Sequence, residues 1–238
     1  ASPNTMITTS LPDVLKEFAD RLEKSRNSEA DVKKLVVETY NAHKRIVFNG
    51  NNYSEEWTAE AGRRGLLNLK TTPEALAMYD RPENIAMFER HKIYTGAEIR
   101  ARQEILLENY CKVINIEALS MSQIVYKQII PAAVKYASVL AESAARKKAQ
   151  GLDAATEASL VKKITGLTDA AYASLAKLNE AVVAARDVTG TLDAANNYHD
   201  SVFMAMEELR VSCDELETVV SREYWPFPTY GEILFSVQ

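Results

Sequence analysis

Between Leu160 and Leu192 the chain places an apolar or small residue at alternating steps of four and three: Leu160, Ile164, Leu167, Ala171, Ser174, Leu178, Ala181, Ala185, Val188 and Leu192. A strand has no such period; it is the seam along which one helix packs on another. A second seam follows Gly190, at Tyr198, Val202, Met206, Leu209, Cys213, Leu216 and Val220. Before both, a helical pattern opens at the capping box Thr95-Gly96-Ala97-Glu98 and persists to about Gln150, where Gly151 is the natural stop. Pro131 removes one ladder bond and is expected to kink this helix or divide it. Asp153 is expected to cap the second long helix, and Thr191 or Asp193 the third. Short Gly-containing connections fold consecutive helices back on each other, so the seams predict antiparallel neighbours. At 1.5 Å per residue the three helices come to roughly 75, 54 and 45 Å, an elongated bundle.

The first third of the chain also reads as helix. Leu11, Val14, Leu15, Phe18 and Leu22 form an amphipathic stripe over about 12–26. Val32, Leu35, Val36 and Tyr40 form another after Ser28, running to about Arg45. The pattern breaks over Ile46–Tyr53, where Asn49-Gly50 signals a turn and a short strand can intrude. Ser54 caps a short helix that ends at Gly65, and Pro73 and Pro82 each open another. The chain holds 8 Gly and 7 Pro in 238 residues, half the usual share of about 12%. The predicted class is therefore all-α: N-terminal helices beside a long-helix bundle, with residues 1–78 as one segment and 79–238 as the other.

The C-terminal run Tyr224-Trp225-Pro226-Phe227-Pro228-Thr229-Tyr230-Gly231 is different. Prolines one residue apart forbid a helix interior and favour an extended path. Trp225, Phe227 and Tyr230 are the candidate anchors of this tail, docked in a groove of the same chain or on a neighbouring subunit.

Several function classes are excluded by the residues. Lys plus Arg number 28 against 33 Asp plus Glu, a formal charge of −5, which argues against a nucleic-acid partner. No run of 18 apolar residues exists, so no membrane span is expected. The N-terminus has neither a basic nor an apolar signal region, and two cysteines cannot build a disulfide framework; a reducing, cytoplasmic setting is expected. The chain lacks an initiator Met, as expected of one processed or cut from something longer.

No glycine loop for phosphate, nucleophile elbow or zinc-protease motif occurs. His43, His91 and His199 have no His or Cys at metal-ligand spacing. Glu104, Glu108 and Glu117 share the long helix, but a carboxylate-bridged metal bundle also needs Glu-x-x-His, which is absent. Lys33-Lys34 and Arg146-Lys147-Lys148 read as solvated ends, and Cys111 and Cys213 as inert buried thiols. No catalytic, cofactor-binding or metal-binding residue is identified in this chain.

Certain runs do carry a resemblance. Arg45-Ile46-Val47-Phe48-Asn49-Gly50-Asn51-Asn52-Tyr53-Ser54-Glu55-Glu56-Trp57, Arg64-Gly65-Leu66-Leu67-Asn68-Leu69-Lys70-Thr71-Thr72, Glu108-Asn109-Tyr110-Cys111-Lys112-Val113-Ile114-Asn115-Ile116-Glu117-Ala118-Leu119 and the aromatic tail resemble the late part of type III glutamine synthetase. The resemblance implies a parent enzyme that joins glutamate and ammonia at the expense of ATP, through γ-glutamyl phosphate, with Mg or Mn. That family's catalytic carboxylates and arginines lie in an earlier region and have no counterpart here. The implied role of this chain is then structural: completing the subunit and shaping contacts in a double-ring dodecamer. A free-standing helical scaffold and, more weakly, a bundle enzyme using Glu104, Glu108 and Glu117 are the alternatives.

Overall fold

A computed structural model describes residues 2–25, 28–228 and 230–235; at 2, 230 and 231 it gives the backbone alone. Among the described residues there is no strand, and the chain is all-α. It forms two compact units, Ala1–Leu106 and Leu107–Gln238.

In the first unit, α1 (Ser2–Lys24), α2 (Glu29–His43), α3 (Glu55–Arg63), α4 (Thr72–Leu76) and α5 (Pro82–Arg90) precede α6 (Gly96–Ile124), which continues into the second. Local chemistry sets the starts. Ser28 and Asp31, Thr71 and Glu74, and Thr95 and Glu98 each form a reciprocal capping box. Gly65, at φ +71°, closes α3, with the Leu66 amide reaching back to the Ala61 carbonyl at 2.9 Å. The Ile46–Tyr53 segment holds no strand. Phe48 stacks on Trp57 at 4.2 Å, and the Arg64 guanidinium lies over both rings while donating to the Val47 carbonyl at 2.8 Å. The loop is thus tied to α3 by side chains rather than by a ladder.

The core of this unit is Tyr79, Phe88 and Ile99, packed round by Met6, Leu76, Ile85 and Tyr94. Ile99 belongs to the first turn of α6, so residues 79–106 share their core with what precedes them. The contact boundary therefore lies within α6, whereas sequence composition placed it at 78/79.

The second unit adds α7 (Ile130–Ala149), α8 (Ala155–Ala185), α9 (Thr191–Asn197), α10 (Met204–Val219) and α11 (Tyr230–Phe235). Helix α8 packs against both α7 and α10. The division expected at Pro131 occurs through a π turn, Val125–Ile129, in which the Ile130 amide reaches five residues back to Val125. A wider turn ahead of the proline accommodates its missing N–H without a break. A second π turn, Tyr198–Phe203, joins α9 to α10. Gly151, at φ +75°, ends α7 with the Leu152 amide on the Lys147 carbonyl.

The helix starts differ from expectation in two places. Gly190, at φ +90°, takes the N-cap of α9 in place of Thr191 or Asp193, and α8 starts at Ala155, whose amide bonds the Asp153 carboxylate at 3.2 Å. Six of the seven seam residues of the last long helix, Tyr198, Val202, Leu209, Cys213, Leu216 and Val220, are core, and Met206 is half-buried against it. On α8, Thr168, Leu175 and Val182 are buried beside Ile164, Ala171 and Leu178. Two flanking helices need a wider face than one seam supplies.

Candidate functional site

The C-terminal tail is the place where unusual composition meets defined geometry. After α10 the chain turns, with the Tyr224 and Trp225 amides both donating to the Ser221 carbonyl at 2.8 and 3.0 Å. The path expected to be extended is thus a turn at 221–225, bends at 226–227, and the short helix α11. Pro226 and Pro228 sit in its irregular part, where no backbone donor is required of them.

Trp225 is 6% exposed and belongs to the core of the second unit. Phe227 is half-buried and meets the indole edge-on at 6.2 Å. Tyr224 lies on Tyr136 of α7 at 5.3 Å, with the Lys135 ammonium over its ring. Arg222 fastens the outside, donating to both Glu232 carboxylate oxygens at 2.9 and 2.8 Å and to the Trp225 carbonyl at 3.2 Å. The Tyr230 side chain lies outside the described residues. The Trp225 indole Nε1 is buried with no hydrogen-bond acceptor; its apolar burial holds it there against that cost. Beside it a cavity of about 290 Å³ opens between the tail and α10, lined among others by Asp214, Glu217, Trp225 and Phe227.

The other candidates do not assemble into a catalytic centre. Glu104 and Glu117 are exposed on α6, and Glu108 is paired with Lys112 at 3.2 Å. Among the described residues no three His, Cys, Asp or Glu are grouped to hold a metal. Three exposed carboxylates, one of them tied to a lysine, do not make the oxygen cage a divalent ion needs. His91 Nε2 meets Asp13 at 2.8 Å, joining α5 to α1, and His199 meets Asp200 on the next residue. Burial pushes the Cys213 thiol up to about 11 and raises that of Cys111, which suppresses the thiolate that reactivity needs. Arg146 pairs with Glu142, and Lys147 bridges α7 to Glu157 of α8. No described helix is long and apolar enough to cross a membrane.

Comparison with known proteins decides the family. The glutamine synthetase C-terminal domain model matches residues 31–148. A glutamine synthetase of Butyrivibrio fibrisolvens is 40% identical over 87% of this chain, and the type-3 glutamine synthetase of Dictyostelium discoideum 33% identical over 98%. The chain belongs to the glutamine synthetase C-terminal domain family. A third relative, from Bacteroides fragilis, is 30% identical over 97% of the chain. The chain spans only 30 to 33% of the length of these relatives.

Proposed function

We propose that this chain works as the non-catalytic helical region of a type III glutamine synthetase subunit. The parent reaction joins glutamate and ammonia: ATP gives its γ-phosphoryl group to the glutamate side chain, and ammonia displaces phosphate from the resulting γ-glutamyl phosphate, with Mg or Mn as the divalent metal. The single observation behind this reading is the pairing of full-length similarity on this side with one-third coverage on the other. Two thirds of each relative has no counterpart here, and the chemistry is assigned to that portion. The metal and phosphate clamps such chemistry requires are assigned in this reading to the same missing portion.

The partners in this reading are the rest of the same subunit and neighbouring subunits, in a homo-oligomer built as a double-ring dodecamer, in the cytoplasm. The tail residues Trp225, Phe227 and Tyr230 serve as an anchor within the subunit or at its interfaces. The test is direct. The purified 238-residue chain, supplied with glutamate, ammonia, ATP and Mg or Mn, is expected to form no glutamine. Turnover by the chain alone overturns the proposal.

A further inference from the structure

The sequence gives α1 one strongly apolar side and one mixed side, and the fold buries the mixed one. With 3.6 residues per turn, Met6, Thr9 and Asp13 lie on one side of the helix, and Ile7, Leu11, Val14 and Leu15 on the other. Met6 packs on the Tyr79, Phe88 and Ile99 core. Thr9 is 1% exposed, its hydroxyl donating to the Thr5 carbonyl at 2.6 Å. Asp13 hydrogen-bonds His91 at 2.8 Å and forms an ion pair with Arg90 at 3.2 Å, which pins this side to the end of α5. The apolar side faces outward: Ile7, Leu11 and Leu15 are each more than half exposed, and Val14 is 45% exposed. Helix α2 meets α1 farther along, through the Arg21–Glu38 ion pair. Single exposed leucines are ordinary; a contiguous stripe on a helix held by its opposite side marks a contact surface.

We propose that the Ile7, Leu11, Val14 and Leu15 face of α1 seats against the part of the same polypeptide that the relatives carry and this chain lacks. The proposal rests on the family reading above. Two observations select this occupant over a second copy. The C-terminal domain match begins at residue 31, leaving α1 outside it, while relatives about three times as long keep their similarity over 97 to 98% of the chain. Helix α1 thus belongs to the junction with the longer portion. The face is also small: four aliphatic side chains offer far less than the roughly 800 Å² per partner of a standard interface between separate proteins. Covalent linkage makes a face of that size sufficient, because the contact forms at high effective concentration.

The test uses the full polypeptide encoded by the natural gene, with a photo-crosslinking p-benzoylphenylalanine placed at Leu15, and the paired substitutions Leu11→Glu and Leu15→Glu. Cross-links from position 15 are expected to land N-terminal to Ala1 in the same polypeptide. The double substitution is expected to leave the melting temperature of the 238-residue chain within about 2 °C, as exposed sites do. In the full polypeptide it is expected to cut the yield of assembled enzyme at least tenfold. Cross-links within residues 28–238 or to another subunit overturn the proposal, as does an unchanged yield, and leave the family reading standing. A natural polypeptide that starts at Ala1 removes both.

Discussion

Burial and hydrogen bonding pull in opposite directions at Trp225. The ring is in the core, yet its Nε1 has no acceptor. Trp225→Ala removes the packing and is expected to cost about 3–5 kcal/mol in chemical denaturation. Trp225→Phe keeps much of the ring and deletes the unpartnered donor, worth about 1–3 kcal/mol when unsatisfied, so its loss is expected to be much smaller. Equal losses in the two variants contradict this account of the site. Cys213 gives a second prediction. With its thiol near 11, only about one molecule in a thousand carries the thiolate at pH 8. Maleimide labelling at pH 8 is expected to modify Cys111 first and Cys213 only on unfolding. The raised value also fixes a sign: burying the neutral thiol stabilises the fold below the unfolded value near 8.5, and that contribution is lost as pH rises toward 11.

At the scale of elements, two glycines are expected to respond in opposite directions. Gly190 sits at φ +90°, and a Cβ there lies 3.2 Å from the Asp193 carboxylate; Gly190→Ala is expected to destabilise by about 1–2 kcal/mol. Gly166 lies inside α8 with open space around its Cβ position, and Gly166→Ala is expected to stabilise by about 0.5–1 kcal/mol. Thermal melts read both signs. Truncation after Ser221 tests the tail: docking on its own chain lowers the melting temperature at unchanged mass, whereas a clasp between subunits reduces the assembly. A truncation that changes neither shows that Trp225 and Phe227 anchor nothing. The same elements show what the residues alone disclose. The α10 seam is legible at six of its seven positions, because one periodic stripe meets one core; Met206 is only half-buried, and buried Ser212 lies off the stripe. On α8 the period located the first row and missed Thr168, Leu175 and Val182, since a second neighbour cannot be read from the helix it covers. The stripe of α1 was legible while its outward direction was not, because direction depends on Asp13 finding His91, 78 residues away. The tail's aromatics stand out by composition, but its turn onto Ser221 and the orphaned indole donor have no signature in the sequence.

At the scale of the whole molecule, a chain that is helical throughout its described elements belongs to a family whose matched members are about three times longer. The aligned stretches of 209, 242 and 240 residues make up 30, 32 and 33% of the relatives, which puts those relatives at roughly 78–84 kDa by the mass per residue of this chain. On α1, Ile7, Leu11 and Leu15 are exposed, and in the proposal above their burial supplies an apolar contact with the longer portion. The mass of the native polypeptide, purified from its own cells with an antibody to this chain and measured intact, tests the central claim most directly. The expected result is one polypeptide of roughly 78–84 kDa that contains residues 1–238 and copurifies with glutamine-forming activity. A native polypeptide of 26.5 kDa, free of that activity, contradicts it.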